Sequence, residues 1–296
     1  MQKKILSALM LVFVAAGCAS TNKVPQNAAI TMKKITGLKT PESVVQAKDG
    51  RIFVSEINGF GKDGDGQVTV IDTNGKASVF VSGLDDPKGL AFIANNLYVA
   101  DKNKVLKISP DGKTTVFASA EAFSGALHGS PYFLNDLEVD PQGNLYVSDS
   151  GDVFGTGLGG AIFKISPQGQ VSLVKSALQE PRVKAPNGLL ADDTGNTLVV
   201  VDLTTGVLYS IEQSSGKWTE LAEGFGGGDG LVHHSNGTMY VSDWKNGKVY
   251  SVNTKGEVAL VKDGFQSAAD IALTKDERYI MVPDMKAGEL DFIPLK

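Results

Sequence analysis

One phrase recurs six times along this chain, and that repetition restricts the fold more than any other feature. It reads IFVSE (52–56), LYVAD (97–101), LYVSD (145–149), LVVVD (198–202), MYVSD (239–243) and IMVPD (280–284). Each copy follows a short apolar stretch (ESVVQA, KGLAFI, NDLEVD, NGLLAD, DGLVHH, ADIALT), joined to it by a tight polar turn such as Asp49-Gly50 or Asn236-Gly237. Gly and Asn tolerate the positive φ that hairpin turns need. A third strand follows every copy (VTVID, VLKIS, IFKIS, VLYSI, VYSVN, ELDFI), and five copies add a fourth (ASVFVS, TTVFAS, VSLVKS, WTELAE, EVALVK). Four short antiparallel strands repeating about every 43 residues predict an all-β, six-bladed β-propeller.

The sixth copy ends after its third strand. Residues 30–38 (ITMKKITGL) align with the fourth-strand phrase SVFVSGL (78–84), so the N-terminal segment is expected to complete the last blade. Closing the ring in this way removes an open sheet edge. Residues 30–296 are therefore read as a single propeller.

The first 17 residues read as an address. Lys3 and Lys4 precede an apolar run from Ile5 to Ala16, too short to span a bilayer but suited to an export signal. Ala15-Ala16-Gly17-Cys18 resembles a bacterial lipobox, with Ala15 where Leu is usual, and Cys18 is the only cysteine of the 296 residues. The expectation is a signal peptide at 1–17, lipidation at Cys18 and a polar tether over 18–29. That makes the protein a lipoprotein of the cell envelope, on the outer membrane facing the periplasm. A plain secretory signal with an incidental Cys is the alternative. A lone Cys excludes a disulfide framework or a Cys-based zinc site. A net charge of −5 gives no basic stripe for nucleic acid.

The repeat also acts as its own control. The acid ending the second strand (Glu56, Asp101, Asp149, Asp202, Asp243, Asp284) is present in all six copies. A single reaction site would not require it six times; a short acceptor for turn amides would. The residue opening the first strand varies instead: Glu42, Lys88, Asn135, Asn187, Asp229, Ala269. First strands are innermost in a propeller, so these six positions ring one channel mouth. Two carboxylates and two amides there suit a hard divalent cation. Four polar residues solvating a channel mouth are the alternative. The long connections 57–66, 119–133, 150–160 and 179–185 all fall on this face, the elaborated one.

Leu134-Asn135-Asp136, Pro186-Asn187-Gly188 and Gly228-Asp229-Gly230, with DPQGNLYVSDSG downstream of the first, resemble the senescence marker protein (regucalcin)/gluconolactonase family and related calcium-dependent six-bladed propellers. The resemblance covers nearly all of residues 30–296. It implies Ca²⁺ held by Glu42, Asn135, Asn187 and Asp229, and hydrolysis of a small lactone or ester by polarising its electrophilic oxygen. Asp136 or Asp229 would activate water. Lys88 and Asn135 would contact substrate, and His128, in the long loop before Asn135, would contact substrate or transfer a proton. The chain departs from the family pattern at Ser43-Val44, where Gly-Pro is usual, and no His stands in the ring column. A non-catalytic, NHL-like propeller that binds a ligand or protein in the envelope is the other function considered. A monomer is expected.

Other candidates are weaker. His233 and His234 sit at the far end of a first strand and read as structural. Gly155-Thr156-Gly157-Leu158-Gly159-Gly160 precedes no helix, so it reads as a lid and not a nucleotide loop. Asp63-Gly64-Asp65-Gly66 lacks the later Glu and flanking helices of an EF-hand.

Overall fold

Among the described residues, twenty-four strands make six separate four-stranded antiparallel sheets, one for each repeat. In a computed structural model, residues 32–123, 131, 133–153, 155 and 159–295 are described. Cys18, His128, the segments expected to be signal and tether (1–17 and 18–29), and residues 156–158 of the glycine-rich loop lie outside the described residues. Numbering blades in chain order, the innermost strands are Pro41–Gln46, Pro87–Ile93, Leu134–Val139, Pro186–Ala191, Gly228–His233 and Ala272–Leu273. Each packs beside the next, and the last returns to the first, so the ring is closed. Among the described residues, the one helical element is a short 3₁₀ turn at Ala120–Ala122, and no helix is long and apolar enough to cross a membrane.

The N-terminal strand completes blade 6, as the repeat predicts. Ile35 and Thr36 pair antiparallel with Leu290 and Glu289. The Leu38 amide donates to Gly288 at 3.0 Å, and Lys34 pairs with Glu289 at 2.7 Å. Among the described residues, the ladder takes in two residues of the nine-residue segment. The inner strand of blade 6 is also short. Its neighbour carries Pro283 where the other blades have Ser, Ala or Val, and a proline offers no amide to the ladder.

The core lies between blades. Phe53, Phe80 and Phe92 meet edge to face between blades 1 and 2, with centroids 5.1 and 5.3 Å apart. Phe123 and Phe163 do the same between blades 2 and 3, at 5.1 Å. Val54, Val99, Val147, Val200 and Val241, central in the repeated phrase, are fully buried. Each contributes roughly 1.5–3 kcal/mol of burial, which explains why the middle of the phrase recurs.

The repeated acid binds turn amides. Asp202 accepts from the amides of Lys184, Ala185, Thr204 and Thr205 at 2.8–3.0 Å. Asp101, Asp149, Asp243 and Asp284 accept from backbone amides in the same manner. These acids hold the connections between blades and leave the inner strands free to present other side chains.

Candidate functional site

In blades 1 to 5 the ladder between the first and second strands slips at one place. The slips fall between Pro41 and Val44, Pro87 and Leu90, Leu134 and Leu137, Pro186 and Leu189, and Gly228 and Leu231. A bulge of this kind inserts an extra residue and re-aims its side chain. Here it brackets Glu42, Lys88, Asn135, Asn187 and Asp229. In three blades a second-strand serine takes the amide that follows: Ser55 from Ser43, Ser148 from Asp136 and Ser242 from Gly230, at 2.7–2.9 Å. Glycine follows the ring residue where a neighbouring strand crowds in. A Cβ on Gly89 would stand 2.5 Å from the Asn135 carbonyl, and one on Gly188 would stand 2.3 Å from that of Asp229.

All five ring residues line one cavity of about 170 Å³, to which every blade contributes. Its floor is the ring: Glu42, Lys88, Asn135, Asn187 and Asp229 are each at most 4 % exposed. Ala269 is buried and adds only a methyl group. Three floor oxygens are buried without a hydrogen-bond partner: Glu42 Oε2, Asn187 Oδ1 and Asp229 Oδ1. Asn135 donates through Nδ2 to Ser150 Oγ at 3.1 Å, and Ser150 Oγ donates in turn to the Pro186 carbonyl at 2.9 Å.

The electrostatics follow from burial. Desolvation, then the charge of Asp229, pushes Glu42 well above the usual carboxylate range, while Lys88 opposes. Desolvation and Asp136 push Asp229 well up, against hydrogen bonding from Asn187. Lys88 is pulled down by its own burial, with Glu42 opposing. Its ammonium donates to the Asp86 carbonyl at 3.1 Å and lies 4.1 Å from the Phe133 ring centroid. Crowded, desolvated carboxylates raise each other's pKa, and a bound cation reverses that tendency. The fit to a divalent cation is therefore good: partnerless oxygens, two formal negative charges and two neutral amides. Among the described residues no group of three or more His, Cys, Asp or Glu is placed to hold a metal, so this donor set depends on its asparagines.

Asp136 lies one residue beyond the ring and outside the cavity lining. Its Oδ1 accepts the Leu137 amide and its Oδ2 the Leu189 amide, both at 2.7 Å. Burial pushes its pKa up to about 6. Asp270 holds the same relative place in blade 6 and was missed in the sequence. It is buried and accepts from Ser43 Oγ at 2.6 Å. Desolvation and the charge of Asp136 push it well up. His234 accepts the Asn236 amide at Nδ1 in a turn. Other cavity walls, also unanticipated, come from short turns: Leu203, Thr204, Trp244, Lys245 and Met285.

Comparison with known proteins was made on this framework. Residues 92–263 match the family described as the SMP-30/Gluconolactonase/LRE-like region. No curated protein sequence matches the chain. A gluconolactonase of Xanthomonas campestris has a similar structure, with TM-score 0.70, 14 % identity and 89 % of each chain covered. A virginiamycin B lyase of Staphylococcus aureus matches with TM-score 0.61 and 13 % identity, covering 89 % of this chain and 99 % of that one. A chain of a nidogen/laminin complex matches with TM-score 0.63 and 17 % identity, covering 77 % and 82 %. At these identities the likeness is one of fold, shared by proteins with different work.

Proposed function

We propose that this chain, which belongs to the SMP-30/gluconolactonase/LRE-like family, is a calcium-dependent hydrolase of lactones or esters acting in the ring-floored cavity. The observation that carries this reading is the trio of buried, partnerless oxygens on Glu42, Asn187 and Asp229. Glu42 and Asp229 would supply charge, and Asn135 and Asn187 neutral oxygens, to the ion. Calcium bound there would polarise the carbonyl or phosphoryl oxygen of the substrate. Asp229 is the residue proposed to take the proton of the attacking water, because both oxygens of Asp136 are already held by amides. Lys88 and Asn135 would bind the substrate from the floor, and His128 is retained as a residue contacting substrate or transferring a proton. Cys18 would carry a lipid, holding the propeller at the outer membrane, facing the periplasm.

The test is a screen of lactones and aryl esters with the full-length chain, with calcium or with chelator. Turnover that needs calcium and is lost in Asp229→Asn and in Asn187→Ala supports the reading. Calcium binding without turnover on any substrate would make the protein a ligand-binding propeller instead. Unaltered metal content in Asp229→Ala would remove the proposed donor set.

A further inference from the structure

Above the ring, the cavity walls are apolar. Ile57, Phe60, Leu203, Trp244 and Met285 form them, and Thr204 and Lys245 are the polar groups among these wall side chains. Trp244 is fixed in place: its indole N–H points to Met285 Sδ at 3.3 Å, and the Lys286 ammonium lies 4.6 Å from its ring centroid. Such a wall suits an aryl or alkyl body. A polyhydroxylated ligand fits poorly, since each hydroxyl buried without a partner costs about tenfold in affinity.

Lys245 is exposed, lines the cavity, and forms no ion pair among the described residues. Gly227 makes room for it, since a Cβ there would stand 2.8 Å from the Lys245 Cβ. Lys88, by contrast, is engaged by the Asp86 carbonyl and the Phe133 ring. The two carboxylates and two ammonium groups lining the cavity cancel. A divalent cation therefore leaves the cavity net positive, which favours an anionic ligand.

We propose that the cavity takes an ester or lactone with an apolar body and an anionic substituent, the body against Trp244 and Met285 and the anion on Lys245 Nζ. This rests on the hydrolase reading of the same site. Hydrolysis adds one water across the acyl C–O bond, giving a carboxylic acid and an alcohol or phenol from an ester, or a single hydroxy acid from a lactone, with no redox partner.

Two measurements on the full-length chain separate this specificity from the reaction. The first is calorimetric binding of 3-phenylpropanoate against 3-phenylpropanamide, with calcium and with chelator. The carboxylate is expected to bind about fivefold more tightly than the amide, as an accessible ion pair allows. The preference should shrink in Lys245→Gln and shrink further in Lys245→Glu. It should persist in Lys255→Gln, in an exposed turn outside the cavity lining. Trp244→Ala should weaken both ligands. The second is turnover of 4-carboxyphenyl acetate, phenyl acetate and glucono-δ-lactone. The ratio of the first to the second should fall about fivefold in Lys245→Gln, and glucono-δ-lactone should be the poorest of the three. The binding preference without any turnover would sustain the ligand class and sink the hydrolase. Best turnover on glucono-δ-lactone, with a preference unchanged in Lys245→Gln, would sustain the hydrolase and overturn this proposal.

Discussion

Asp136 of blade 3 accepts the backbone amide of Leu189 in blade 4 at 2.7 Å, while its other oxygen takes the amide of Leu137. The carboxylate thus ties two inner strands together directly beneath the ring. Asp136→Ala leaves two amides without their acceptor and is expected to cost about 2–4 kcal/mol, a fall in Tm of roughly 5–15 °C. Calcium should still stabilise the variant. Unchanged melting with lost turnover would instead place Asp136 in the chemistry.

Calcium should raise Tm, because an ion that binds only the folded ring stabilises it by about 2.7 kcal/mol at a hundred times its Kd. Glu42→Gln keeps the shape of the side chain and removes one of two charges. It should weaken calcium at least about tenfold, as losing a charge from a desolvated site does. A thermal-shift titration measures both effects. An identical calcium curve in the variant would separate Glu42 from the ion.

Lys88 shares the floor with Glu42 and repels any cation placed there. Lys88→Met should tighten calcium several-fold, roughly the scale of one partly screened charge. It should also weaken binding of carboxylate ligands. The affinity of the metal, read by calorimetry, decides the matter: weaker calcium in the variant would mean that Lys88 supports the floor structurally.

Glu138, on the inner strand of blade 3, gives a signed pH effect. Burial and the charge of Asp136 raise its pKa to about 8, with the Ala191 amide opposing. An ordinary glutamate titrates near 4.3 in the unfolded chain. The folded state therefore holds this proton more tightly, and the residue's contribution to stability falls as pH rises from about 4 to about 8. Glu138→Gln should raise Tm relative to the parent at pH 8.5 and much less at pH 5, with chelator present throughout. A constant difference across that range would show that Glu138 titrates normally.

The blades were legible because their defining residues repeat for a structural reason. Asp101, Asp149, Asp202, Asp243 and Asp284 are held by the same turn amides in each copy, so one alignment finds them all. Glu42, Asn135, Asn187 and Asp229 stood out by breaking the repeat at a fixed register, which the bulges explain. Asp270 escaped notice because the position after the ring alternates among Ser, Gly and Asp without visible rule. Trp244, Lys245 and Met285 looked like ordinary turn residues. Only closure of the ring brings them together over one floor, and closure is a long-range property that no local pattern encodes.

The join in blade 6 makes the ring mechanically uneven. Five blades are built from continuous stretches of chain, but the sixth is fastened, among the described residues, by two paired residues, one further amide and the ion pairs of Lys34 with Glu289 and Asp291. Fraying there would free an outer edge without disturbing the ring floor. The first amides to exchange with solvent should be those of this clasp, well before any between inner strands. A tug on the chain ahead of Lys33 would be borne by the clasp first, leaving the cavity shielded from strain until the fastening gives way.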